Sequence, residues 1–305
     1  MSKNGSLNFQ IQQCLDAKCH FGESKKAAVE KAYLSNPEGS KFQVRNDACR
    51  DKIFSHQTYN TYLRECCQFG KYCKENYGCK TIAECEKYVA EYLTKQISEN
   101  KSASTIKTKA SALGKLFGVP YTAFGVETPD RCRADIKNNR GEPSNHFSET
   151  KNIALAQFCR GTGLRRSELQ KLKPDQLIWM KGRPYLRIKG KGGKVRTAPI
   201  VGPCADKIVK KIKSTPKGTP VWGRVNKAAP IHRYRSEYAT TIYNSLARDL
   251  DKLKPSEKYY CRKELAGIVY DRKAMKYVSK ALGHERITII ASNYLRGGDL
   301  YGLEN

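Results

Sequence analysis

Six side chains in the second half of this 305-residue chain have the types and contexts that handle anions: Arg165, Lys191, His232, Arg235, His284 and Tyr294. Arg165 lies in Thr-Gly-Leu-Arg-Arg-Ser-Glu-Leu, just after a Gly161-Thr-Gly163 break. His232 and Arg235 form His-x-x-Arg at the opening of a helical pattern, and His284 closes another in Ala-Leu-Gly-His. Gly190-Lys-Gly-Gly-Lys194 has the look of a phosphate loop. The nucleotide-binding form needs G-x-x-x-x-G-K-[ST] between a strand and a helix, whereas Val195 follows Lys194 and strand patterns flank both sides. The nucleotide reading therefore fails. What remains is a hairpin with Lys191 at its tip, an ammonium on a lever suited to reaching into a groove, and Lys194 beside it. Taken singly, each of these residues is explained as well by packing or solvation, so any chemistry depends on their being brought together.

The charge of the chain favours a polyanionic partner. Lys and Arg number 57 against 29 Asp and Glu, a formal net charge of +28. A folded chain this basic most often meets nucleic acid. Residues 146–305 carry 34 basic and 13 acidic side chains, against 23 and 16 in residues 1–145, so the second half is the stronger partner for phosphate. At 39% hydrophobic the chain can build cores, which excludes wholesale disorder. No apolar run approaches the roughly 20 residues of a membrane helix, and the opening residues lack the apolar stretch of a secretory signal. The expectation is a cytoplasmic protein, at the bacterial nucleoid, with no membrane partner. Twelve cysteines contain no C-x-x-C, and Cys14, Cys19 and His20 lack a fourth ligand, so neither a metal nor a disulfide framework is expected. No cofactor is expected.

The elements that must position these residues fall into two blocks. Tyr62, Cys66, Phe69 and Cys73 step at helical spacing. Thr81–Glu84 is a capping-box signature ahead of Cys85, Val89, Tyr92 and Leu93. A third helix carries Ile106, Ala110, Leu113 and Phe117, with Gly118 as its stop. Its other face holds Thr105, Thr108, Lys109, Ser111 and Lys115, short hydroxyls and amines suited to phosphate oxygens. Ile11–Cys19 and Lys25–Ala32 also read as helices, though residues 1–50 have no clear role. Residues 121–146, with two Pro and few apolar anchors, read as a linker. The second block mixes helices with short strands over Gln176–Met180, Pro184–Lys189 and Lys194–Ile200, and returns to helix at Tyr238–Leu250 and Ala274–Leu282. The expected fold is mainly α with a small antiparallel sheet. Residues 1–120 form a helical domain and 147–305 an α+β domain.

The order of these motifs carries a resemblance. Thr162-Gly-Leu-Arg165-Arg-Ser-Glu168-Leu, Gly190-Lys191 through Pro199, His232-Arg-Tyr-Arg235, Leu282-Gly-His284 and Tyr294 resemble, in sequence order, the catalytic domain of the tyrosine recombinase or phage integrase family. The region from Tyr259 to Tyr277 is closer to integrases of bacterial mobile elements. The helical half resembles the core-binding domain that accompanies that catalytic domain. The resemblance implies that Arg165 and Arg235 clamp the non-bridging oxygens of a scissile phosphate. Lys191 would reach the leaving oxygen or the minor groove, His232 would assist proton transfer, and His284 would donate to the phosphate. Tyr294 would attack phosphorus, and Glu168 would orient Arg165. It further implies site-specific recombination through a 3′-phosphotyrosine, on double-stranded DNA with inverted-repeat core sites. The protein would work as a tetramer on two duplexes, with DNA-bending accessory proteins in some systems. A type IB topoisomerase-like enzyme and a catalytically silent DNA-binding protein are the alternatives.

The physical chemistry suits these roles. A phenol ionises near pH 10, and fixed cations lower the cost of its anion. Attack on a phosphodiester builds charge on oxygens that planar guanidiniums bind two at a time. Two features depart from the family pattern. His284 and Tyr294 are ten positions apart, where nine is typical, which keeps Tyr301 as a second candidate nucleophile. Ser-Glu-Tyr-Ala-Thr follows Arg235 in place of the usual His-Thr-Phe-Ala-Thr.

Overall fold

The computed structural model describes residues 5–132, 146–190 and 193–295. The chain divides at residues 137 and 138 into two compact units. Among the described residues it is mainly helical, with one three-stranded and one two-stranded antiparallel sheet. No described helix is long and apolar enough to cross a membrane.

The first unit is helical throughout: α1 (Leu7–Asp16), α2 (Lys25–Ser35), α3 (Lys41–Cys49), α4 (His56–Tyr77), α5 (Ile82–Cys85), α6 (Val89–Ser98) and α7 (Ala103–Phe117). The long α4 follows from its i, i+3, i+4 stripe. Cys66, Phe69 and Cys73 are buried together with Ile11 and Leu15 of α1, Leu93 of α6 and Leu113 of α7. Ser55 caps its start through the Thr58 amide at 3.2 Å, and Gly78, at φ +65°, ends it. Thr81 does cap at the Glu84 amide (3.4 Å), but Glu84 reaches back to the Lys80 amide at 2.8 Å. The cap therefore opens only the single turn α5, and a 3₁₀ turn at Glu86–Tyr88 separates it from α6. Tyr121, Phe124 and Val126 pack against this core, so the start of the expected linker belongs to the first unit.

The expected phosphate-binding face of α7 needs correction. Lys109 is 5% exposed. Its Nζ donates to Glu65 at 2.8 Å, Gln68 at 2.8 Å and Tyr92 at 3.1 Å. Lys115 donates to the carbonyls of Cys49, Arg50 and Lys52, closing the end of α3, and burial pulls its pKa down to about 8. Both ammoniums are spent inside the fold, because a buried cation must be paired. Thr105 stays exposed at the start of α7, against Ser102 Oγ at 2.8 Å. The half-buried Thr108 donates back to the Ser104 carbonyl at 2.8 Å.

The second unit opens with α8 (Ile153–Thr162) and the single turn α9 (Arg166–Leu169). The sheet follows as β1 (Leu177–Met180), β2 (Arg183–Lys189) and β3 (Val195–Pro199), in order β1-β2-β3. Its register sets Leu177 opposite Leu186 and Lys189 opposite Val195. Then come α10 (Ala205–Ser214), α11 (Ile231–Leu246), the pair β4 (Lys258–Tyr260) and β5 (Val269–Asp271), α12 (Arg272–Leu282) and α13 (Thr288–Ile290). Helix α11 serves two cores. Ile231 and Tyr234 join the apolar side chains of α8, the sheet and α10, while Tyr238, Ala239 and Ile242 join those of α12 and the closing turns. The break expected at Gly161-Thr-Gly163 falls at its last residue: α8 runs to Thr162 and ends at Gly163, while a Cβ at Gly161 would overlap Ile208 and come 3.0 Å from the Val201 carbonyl, so glycine is needed there for space. Leu246 is exposed and Leu250 lies in a separate 3₁₀ turn, so α11 is shorter than its apolar spacing suggested.

Candidate active site

Arg165 is placed by a turn that only glycine allows. Gly163 ends α8 at φ +57°, and a Cβ there would overlap the Tyr238 ring. Leu164 is then buried, which aims the next residue outward from the core. Arg165 caps α9, and Glu168 one turn later folds back on it. The carboxylate accepts from the Arg165 amide and from Nη1, each at 2.8 Å. It also accepts from both terminal nitrogens of Arg196, at 2.8 and 2.7 Å. These guanidiniums hold the Glu168 carboxyl down to about 2 against the cost of burial.

Arg235 lies on the buried stripe of α11 with Tyr234 and Tyr238, and is 1% exposed. Nη1 donates to the Gly163 carbonyl and Nη2 to the Leu282 carbonyl, which leaves Nε to donate to the Tyr294 hydroxyl at 3.2 Å. Arg235 therefore joins the end of α8, the end of α12 and the tyrosine.

His284 is fixed by the way α12 begins and ends. Asp271 caps the start, accepting from the Lys273 amide at 2.8 Å, and is bracketed by Arg248 at 2.8 and 2.9 Å. That pairing holds the Asp271 carboxyl well below the usual carboxylate range. Gly283 ends the helix at φ +69°. The His284 amide donates to the Ser279 carbonyl at 2.8 Å and Ser279 Oγ donates to the His284 carbonyl at 2.9 Å, so backbone and side chain clamp the turn together. Nε2 of His284 lies 3.1 Å from the Tyr294 hydroxyl. Burial, then the nearby Arg235, Arg165 and Arg196, pull its pKa down to about 4, so at pH 7 the ring is neutral. The tyrosine oxygen already accepts from Arg235. The arrangement that also places its proton has Tyr294 donating to Nε2, with the ring proton on Nδ1.

Between His284 and Tyr294 the chain makes α13 and then a π turn at Ala291–Leu295. A π turn takes one residue more per hydrogen-bonded ring than an α turn. The lengthened interval is absorbed there, and the Tyr294 hydroxyl still reaches His284, with its residue 9% exposed.

Of these groups Arg165 and His284 line a cleft of about 770 Å³, whose other cations include Arg187, Lys194, Arg196, Lys280 and Arg286. Lys194, on the far side of the hairpin turn, pairs with Glu285 beside His284. His232 is exposed on α11, one turn before Arg235. Lys191 and Tyr301 lie outside the described residues. The site therefore gathers Arg165, Arg235, His284 and Tyr294 in one chain. Sequence reasoning missed the part played by Arg196. The signal was parity: on β3, Arg196 shares its face with the buried Ala198 and not with the exposed Val195 and Thr197. Arg187, Lys280 and Arg286 gave no signal that separates them from ordinary surface cations. Among the described residues no group of three or more His, Cys, Asp or Glu side chains could hold a metal ion, and the cysteines are free thiols.

This constellation on this fold defines a class. The chain belongs to the phage integrase family, the tyrosine recombinases, whose family model matches residues 141–299. No curated protein sequence matches it. Among solved structures it is similar to the XerH site-specific recombinase bound to difH substrate in a pre-cleavage complex. That likeness has 16% identity and a TM-score of 0.51, covers 93% of this chain and 91% of that one, and establishes a shared fold. A second similar structure is the Tn1549 transposon integrase in complex with circular intermediate DNA, at 15% identity and a TM-score of 0.39, covering 90% and 95% of the two chains. The fold is that of the recombinases, a helical N-terminal part followed by a catalytic part.

Proposed function

We propose that this protein is a site-specific DNA recombinase, the integrase of a mobile element, and that Tyr294 is its nucleophile. The observation that carries the reading is the Tyr294 hydroxyl held between Arg235 Nε at 3.2 Å and His284 Nε2 at 3.1 Å. A phenol is a weak nucleophile until its proton has an acceptor and its anion a counter-charge; neutral His284 supplies the first and Arg235 the second. Tyr294 attacks phosphorus, its proton passing to the imidazole. The 5′ oxygen leaves with a proton from Lys191 or His232. Charge building on the non-bridging oxygens is met by Arg165 and Arg235, and preorganised donors of this kind are each worth about 3–4 kcal/mol.

The product is a 3′-phosphotyrosine and a free 5′ hydroxyl. The phosphodiester energy is kept in the covalent link, so a hydroxyl from another strand can reverse the step without nucleotide hydrolysis. Exchange of two strands in turn gives recombination. In this reading the protein assembles as a tetramer on two duplexes with inverted-repeat core sites, assisted by DNA-bending proteins. Residues 1–120 also bind the DNA in this reading, with Thr105 and Thr108 toward its backbone.

Nicked duplexes drawn from the DNA flanking the encoding element test the reading. Wild-type protein should form a covalent adduct resolvable on a denaturing gel, and Tyr294→Phe should form none. An adduct that survives Tyr294→Phe and is lost in Tyr301→Phe would move the nucleophile. Relaxation of supercoiled plasmid with no defined site would point to the topoisomerase alternative. No adduct with any flanking duplex would leave only a binding protein.

A further inference from the structure

Arg196 turns its side chain inward from β3 yet has no part in the chemistry just described. Its side chain is 8% exposed on β3. The guanidinium sets Nη1 and Nη2 against the two oxygens of Glu168, and Nε donates to the Ala281 carbonyl in the last turn of α12 at 2.9 Å. A planar fork with a third N–H aimed elsewhere can satisfy all three acceptors at once, and an ammonium cannot.

Three segments of the site meet on this side chain. Glu168 is the carboxylate that holds Arg165, by its amide and by Nη1. Gly190 opens the turn between β2 and β3, and a Cβ there would come 3.2 Å from Arg196 Nη1 and 3.3 Å from Glu168 Oε1. Gly283 precedes His284, and a Cβ there would come 2.8 Å from Arg196 Cδ. Two further guanidiniums, Arg165 and Arg235, reach the next carbonyl along, that of Leu282. The end of α12 is thus tied to Arg165 by a direct contact that is long, 3.4 Å, and by the shorter route through Arg196 and Glu168.

We infer that Arg196 is a positioning residue: by bridging Glu168 and the end of α12 it sets Arg165 at its working distance from the His284–Tyr294 pair, and so governs the rate of strand cleavage and not affinity for DNA. The inference rests on the recombinase reading above. Near-attack geometry is steep, and a misplacement of about 1 Å costs about 10²-fold in rate.

The test is single-turnover adduct formation on a nicked duplex at saturating protein, with the Kd measured separately on the intact duplex, for wild type, Tyr294→Phe, Arg196→Ala and Arg196→Lys. Arg196→Ala should slow adduct formation about 10²-fold while Kd stays within about threefold of wild type. Arg196→Lys keeps the charge and loses the fork, and should recover less than about a tenth of the wild-type rate. A near-wild-type rate for Arg196→Lys would show that charge alone matters and would overturn the inference. So would a shift in Kd as large as the shift in rate, which marks a phosphate ligand. Melting curves accompany each variant. Should Arg196→Ala fail to fold, Arg196→Lys and Glu168→Gln, which keep length and shape, decide the question by the same split. Wild type that forms no adduct would overturn the recombinase reading itself, and this inference with it; wild type that reacts alongside unimpaired Arg196 variants would overturn this inference alone.

Discussion

Glu168 accepts four hydrogen bonds, three of them from two guanidiniums, on a carboxylate that is nearly inaccessible. Such a group ties protonation to folding. Its folded-state pKa, about 2, lies below the ordinary 4.5. The unfolded chain therefore binds the proton first, and the stability Glu168 contributes is present above about pH 4.5 and lost as pH falls toward 2. Thermal melting between pH 5 and 2.5 should show wild type losing stability more steeply than Glu168→Gln, whose amide does not titrate; parallel slopes would place the charge coupling elsewhere. At the same scale, Lys109 shows why residue type alone misleads. Its spacing put it on a face with threonines and lysines, and only the neighbouring helices supplied Glu65, Gln68 and Tyr92 to bury its ammonium.

At the scale of elements, the site depends on where helices stop. Arg165 and His284 each follow a helix ended by a glycine with positive φ, Gly163 at +57° and Gly283 at +69°. Gly163 is the more constrained, because its missing Cβ also makes room for Tyr238, a residue of the core beneath the tyrosine turn. Gly163→Ala should lower stability by about 1–3 kcal/mol through overpacking and strain, read as a drop in the urea midpoint, and should slow adduct formation by moving Arg165. A midpoint unchanged from wild type would mean that the Tyr238 ring gives way freely. The π turn at Ala291–Leu295 is the complementary device. It takes up a residue that would otherwise rotate Tyr294 about 100° around a helix axis, away from Arg235 and His284.

At the scale of the whole molecule, charge is the property the partner meets first. The net +28 is concentrated in the second half, and the cleft beside His284 adds Arg187, Lys280 and Arg286 to the groups around the tyrosine. If these bind phosphates flanking the one that reacts, log K against log salt should slope by about −0.9 for each phosphate neutralised. Arg187→Ala and Arg286→Ala should each reduce that slope by about 1 and weaken binding alike on all sequences. A slope that neither change moves would remove them from the interface.

The motif order, the two-part charge distribution and the helical spacing of the buried cysteines and aromatics were all legible in the linear chain. They depend on local periodicity and on residue types that few other arrangements require. Gly118 and Gly163 could be read as stops for the same reason, since positive φ is a property of one residue. The linear chain was silent or misleading wherever a side chain's role depends on a partner distant in sequence. Lys109 and Lys115 were claimed by carbonyls and a carboxylate that burial forced to find a cation, and Arg196 was turned inward to Glu168 and Ala281. The alignment of Tyr294 with His284 hung on a single turn widening by one residue. Sequence by itself determined which groups this protein has for phosphate chemistry and the order in which they come. Tertiary structure decided which cations face the tyrosine and which are spent holding the fold, because the cost of burying an unpaired charge is settled only when distant segments meet.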